Sequence, residues 1–198
     1  MSTAPEPTVF ADVVGDSRRV ARLFHDHKNV LELDGETIET AQRLFVDAHP
    51  ELPQAARGFA CRVAAAVRVS CEMNGTPRRI DEIADVTGMD PVLMMREARS
   101  IKDATGVRTT PVTAEQYLDR FAGELSVDGT VRHTAHDVLD QLPVGTGERP
   151  HVRAAAALWL AGKLTDDPLP HSEVCTVSGA SENAIWGTAR RMLDSIVS

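Results

Sequence analysis

Apolar residues recur at helical spacing along almost the whole chain, and no stretch alternates in the way that predicts a strand. In the first half Val20, Leu23 and Phe24 stand at i, i+3 and i+4, behind Asp16 as a candidate cap. Ile38, Ala41, Leu44 and Phe45 line a second helix that begins near Asp34, and Pro53 opens a third. That third helix, FACRVAAAVRVSCEM (59–73), is apolar nearly all round, which predicts a central helix with the others packed about it. Gly75-Thr76-Pro77 breaks it. A short fourth helix over about 79–86 stops at Gly88, and Asp90-Pro91 supplies a cap and an N1 proline for a fifth. The second half repeats the order. Thr113 and Gln116 form a capping box, Asp128 opens the next helix, and a third spans 150–164 up to Asp166-Asp167-Pro168. A fourth lies near 170–177, Gly179 turns the chain, and Ser181 caps the last.

The likeness of the halves extends to identity. Between 64–103 and 155–194, ten of forty positions match at a fixed offset of 91: Ala64, Ala65, Ala66, Pro77, Glu82, Val86, Gly88, Ala98, Arg99 and Asp103. Upstream, 31–41 matches 125–135 at five of eleven positions with an offset of 94, a length change that an inter-helix loop absorbs. A period this long is not that of a solenoid, whose repeats run to about 20–50 residues. The expected fold is all-α: a short tail (1–14), a five-helix repeat (15–105), a linker (106–113, GVRTTPVT to its last residue) and a second five-helix repeat (114–198).

Composition narrows the function. The net charge of −8 argues against a free-standing nucleic-acid binder, because phosphate neutralisation supplies most of such affinity. Arginine outnumbers lysine 18 to 3, which fits a GC-rich genome and, with the acidity, hints at a salt-loving host, where screening weakens long-range repulsion. No apolar run reaches the ~18 residues of a membrane span and no signal peptide is evident, so a cytoplasmic protein is expected. Cys61, Cys71 and Cys175 read as small core residues without zinc-site spacing. His133 and His136, at i and i+3, lack a third ligand, so no metal is expected. With no phosphate loop, nucleophile elbow or catalytic carboxylate pair, the chain reads as neither an enzyme nor a cofactor binder.

Each half ends in a short helix, a glycine turn and a longer capped helix, the spacing of a helix–turn–helix, at 79–103 and 170–196. Together with RVAAAVRVSCEMNGTPRRIDEIADVTGMD (62–90) and AAAALWLAGKL…EVCTVSGASENAIWGTARRML (154–193), this resembles the tandem cyclin-like repeats of transcription factor IIB and its archaeal counterpart, transcription factor B, over about 15–198. The resemblance implies promoter DNA and TATA-binding protein as partners, in transcription initiation or its regulation. It also implies that the second repeat reads an element upstream of the TATA box while the first contacts TATA-binding protein and nearby backbone. The family's zinc ribbon, which engages RNA polymerase, has no ligands among the first fourteen residues, so either the chain is a core fragment or polymerase contact of the usual kind is not expected. The family's last helix carries threonine, isoleucine and a basic–Asn–basic run, whereas this chain has Ala184, Ile185, Trp186, Gly187, Thr188, Ala189, Arg190. A protein-interaction scaffold that has lost specific DNA binding is therefore the competing expectation.

The candidate DNA-contacting residues are Asn183, Trp186, Thr188, Arg190 and Arg191 on the last helix, and Arg78, Arg79, Arg96 and Arg99 in the first repeat. Arg190 and Arg191 diverge by about 100° on a helix, so only one of them faces a groove. Trp186 has three readings, of which core packing leads, ahead of stacking on a sugar or base and of anchoring a partner protein. Trp159 and one of Met94 and Met95 are expected in the core, and Ser181 as a cap.

Overall fold

The computed structural model describes residues 17–52, 58–141 and 147–197. The expected cap Asp16, the Pro53 helix start and the tail 1–14 lie outside these. The described residues are all-α, and the chain divides into two compact units, 1–111 and 112–198. The first contains α1 (Ser17–Val30), α2 (Gly35–Ala48), a 3-10 turn (His49–Glu51), α3 (Gly58–Met73), α4 (Ile80–Asp85) and α5 (Pro91–Thr105). The second contains α6 (Ala114–Glu124), α7 (Gly129–Asp140), α8 (Pro150–Leu164), α9 (His171–Ser178) and α10 (Glu182–Val197).

Each unit is built around its third helix. In α3 every residue from Cys61 to Glu72 is buried, and α1, α2, α4 and α5 pack on it. In α8 the alanines 154–157 are buried, and α6, α7, α9 and α10 surround it. Small side chains let neighbouring helices approach closely, and the larger partners then fill the space between them. Phe24, Phe45, Ile83, Met94 and Ile101 do so in the first unit, and Phe121, Leu118, Leu139, Ile185 and Met192 in the second.

Caps fix the helix starts. Asp34 accepts from Thr37 N at 2.7 Å, Asp90 from Val92 N at 2.7 Å, and Asp128 from Thr130 N at 2.8 Å. Thr113 N donates to Gln116 Oε1 at 2.8 Å, and Ala184 N to Ser181 Oγ at 3.4 Å. Backbone strain repeats as well. Glu32 and Ser126 are left-handed at the 94-residue offset, and Gly75 with Asp166 and Gly88 with Gly179 at the 91-residue offset. Gly88 and Gly179, both at φ 62°, turn the chain between the paired short and long helices, a backbone that disfavours any Cβ.

Candidate nucleic-acid interface

The last helix of each unit is anchored through one stripe and exposes the other. On α5, Met94, Ala98 and Ile101 are buried, while Val92, Leu93, Met95, Arg96 and Arg99 face outward. On α10, Ile185, Ala189 and Met192 are buried, while Asn183, Trp186, Arg190 and Arg191 face outward. Because the anchoring residues correspond at the 91-residue offset, so do the outward ones. Val92 matches Asn183, Met95 matches Trp186, Arg96 matches Gly187, and Arg99 matches Arg190. The shared arginine is thus exposed at the ninth residue of its helix in both units.

Five expectations about side-chain placement are corrected. Trp186 is not in the core but 54% exposed, since it sits about 100° round the helix from buried Ile185. Thr188 is buried to 1%, lying between Ile185 and Met192 on the inward stripe, so it cannot meet DNA; its hydroxyl accepts from Arg191 Nη2 at 3.0 Å. Arg78 is an internal residue. Its Nε donates to the Leu31 carbonyl at 2.7 Å, with further bonds to the carbonyls of Pro77 (2.8 Å) and Glu32 (3.3 Å), and it is 8% exposed. The guanidinium therefore satisfies carbonyls beyond the end of α1 rather than a phosphate. Arg79 is largely committed too, with its backbone N–H on Glu82 Oε2 at 2.6 Å and its guanidinium near Asp81 and Glu82 at 3.4 and 3.3 Å. Trp159, expected in the core, is only partly buried, edge-on to His171 with Lys163 over its ring. Cys61 and Cys71 are core residues as expected, and Cys175 only partly so.

Beside α10 lies a cleft of about 360 Å³, lined by the segment 148–152 at the start of α8, the turn 179–181 and the first two turns of α10. Asn183 and Gly187 edge it, and Arg191 crosses it to Glu148 at 2.5 Å. Sequence reasoning missed this pair, because Glu148 sits more than forty residues upstream and nothing local marks it. It also missed the apolar character of the outward face of α5, which exposed Val92, Leu93 and Met95 give it. Behind that face Glu97 is buried against Arg62 at 2.9 Å, a paired charge that fixes α5 on α3.

His133 is exposed beside Asp137, and His136 pairs with Asp119 at 3.1 Å. Among the described residues no group of three His, Cys, Asp or Glu side chains could hold a metal ion, and no helix is long and apolar enough to cross a membrane.

No protein-family model matches the chain. It is 32% identical over 133 residues to transcription initiation factor IIB 2 of Haloferax volcanii, covering 66% of this chain and 40% of that protein. It is 29% identical over 170 residues to transcription initiation factor IIB 2 of Halobacterium salinarum, covering 84% and 52%. The chain thus spans about half the length of the curated relatives it matches. Among solved structures, a viral cyclin from herpesvirus saimiri aligns over 98% of the chain and 92% of its own, at a TM-score of 0.41 and 15% identity. That score is too low to add to the helix order described above.

Proposed function

Since this chain carries a core like that of transcription initiation factor IIB, we propose that it acts in transcription initiation or its regulation by binding promoter DNA together with TATA-binding protein. The observation that carries the reading is the equivalent exposure of Arg99 and Arg190 on the outward faces of the two last helices. An arginine at the same register in both units suits a contact that both make alike, and a backbone phosphate is such a contact. Arg96 extends the basic surface in the first unit, while Asn183 and Trp186 offer hydrogen bonding and stacking in the second. Each contact is weak alone on an acidic chain, and tethering makes the pair effective.

A gel-shift series with TATA-box DNA, with and without TATA-binding protein, across a range of salt tests this. The expected result is a ternary complex whose log affinity falls with log salt, the slope flattening by about 1 for each of Arg99→Met and Arg190→Met. Absence of a ternary complex at every salt concentration sinks the proposal. The competing scaffold reading draws on Trp186, Val92 and Leu93, apolar side chains 54%, 59% and 42% exposed. A complex with TATA-binding protein that shows no salt slope and no need for either arginine would favour it.

A further inference from the structure

Three stretches of the first unit converge on one carboxylate outside the proposed interface. Glu72, near the end of α3, is 8% exposed. Its Oε1 receives Arg68 Nη2 at 2.7 Å from one turn earlier. Its Oε2 receives Lys102 Nζ at 2.5 Å from the last turn of α5 and Thr109 Oγ1 at 2.5 Å from the segment that leads to the second unit. Burial alone pushes the Glu72 carboxyl up, but the bonds from Lys102 and Thr109, with the charge of Arg68, outweigh it and hold the group below its ordinary value. Val107, between α5 and Thr109, packs on the core of the first unit. Residues 107–109 are therefore folded back against α3 and α5.

The duplication supplies an internal control. At the 91-residue offset Arg68 becomes Trp159, Glu72 becomes Lys163 and Lys102 becomes Leu193. In the second unit Lys163 lies over the Trp159 ring at 5.6 Å, and Leu193 is 40% exposed. The buried carboxylate and its donors are thus not scaffold common to both copies. They belong to the unit whose last helix leads into the connector.

We infer that Glu72 and Thr109 form a clasp that shortens the connector, making Thr110 and Pro111, both exposed, the hinge between the units. Glu72 is then a positioning residue: it sets how much free chain joins the two units. Its consequence for binding rests on the promoter-binding reading above, whereas the clasp itself does not. Freeing residues 106–109 would lengthen the free connector from two residues to six, and effective concentration, falling roughly as the −3/2 power of length, would drop about fivefold.

The test uses the whole chain and Thr109→Val, which removes the hydroxyl alone, with Glu72→Gln as a second variant. Trypsin reads the clasp directly, through cleavage after the exposed Arg108 followed by mass spectrometry. A bond to a charged group should protect that site about tenfold. The expected result is cleavage about tenfold faster in Thr109→Val, with both units still folded by dichroism and a ternary complex about fivefold weaker. Equal cleavage of parent and Thr109→Val overturns the clasp, whatever DNA does. Faster cleavage with an unaltered ternary affinity overturns the positioning role. If the parent forms no ternary complex, the promoter-binding reading falls, the positioning role falls with it, and the cleavage comparison still decides the clasp.

Discussion

Arg78 and Arg99 are both arginines of the first unit, and they should fail in opposite ways when replaced. Arg78→Met keeps most of the side-chain volume but removes a guanidinium that donates to three carbonyls, those of Leu31, Pro77 and Glu32. A hydrogen bond to a charged group contributes about 1.5–3 kcal/mol, and of the stranded carbonyls that of Leu31 is buried while those of Pro77 and Glu32 are partly so. Because the three bonds share one group they are not additive, and a loss of about 3–5 kcal/mol is expected, as for other broken buried networks. For a domain of this size that lowers the midpoint by about 15 °C or more. Arg99→Met, at an exposed position, should change stability by no more than about 0.5 kcal/mol.

The chain provides its own assay for separating the units. Trp159, Trp186 and Tyr117, all in the second unit, are its only tryptophans and its only tyrosine. Circular dichroism at the helix band follows both units during heating, while tryptophan fluorescence follows the second alone. Arg78→Met should give an early transition in dichroism that fluorescence does not share, and Arg99→Met should reproduce the parent in both. If Arg78→Met melts like the parent and instead loses affinity for DNA, the internal role assigned to Arg78 is wrong.

Two further predictions concern stability. Gly162→Ala and Gly187→Ala make the same change in two helices of one unit and should differ in sign. A Cβ at Gly162 would stand 2.8 Å from the Asp167 carbonyl oxygen and 3.1 Å from Leu169 N, so overpacking of about 1–3 kcal/mol exceeds the helix-propensity gain. At Gly187 the nearest atom is 3.8 Å away and the gain of about 1 kcal/mol stands alone, so urea midpoints that move in the same direction would refute the reasoning. Acidification should weaken the first unit. Burial lowers the pKa of His27 from its ordinary 6.5, and burial with the charge of Arg62 lowers that of His49. The folded unit then stays neutral while the unfolded chain takes up protons, so stability held above pH 6.5 falls below it, by up to about 1.4 kcal/mol per pH unit for each proton. His49→Gln should flatten that slope in dichroism, and an unchanged slope in both His49→Gln and His27→Gln would exclude these groups as its source.

The helices and their caps were legible because each depends on a few adjacent residues. Asp34, Asp90, Asp128, Thr113 and Ser181 each meet the backbone or side-chain group that their spacing implies. What resisted reading was the rotation of the last helix about its axis. One residue is a turn of about 100°, so Trp186 and Ile185, both apolar, are separated into outside and inside only by how α10 docks on α8. Long-range bonds resisted as well. Nothing near Arg78 in the sequence reveals that the carbonyls of Leu31 and Glu32 lie within its reach, and the same holds for Glu148 and Arg191.

The two outward faces nevertheless answer one another in a way that constrains how the units work. Most positions that the halves share are buried or set a turn, so packing accounts for them. Arg99 with Arg190 and Asp103 with Asp194 are exposed in both copies, and packing does not account for these. Around the common arginine the faces diverge: Val92, Met95 and Arg96 in the first unit correspond to Asn183, Trp186 and Gly187 in the second. A shared charge among unlike neighbours suits one common partner chemistry met in two settings, one more apolar and one more polar. An identical target for both units would have favoured identical neighbours, and unrelated targets would have left no reason to keep the arginine.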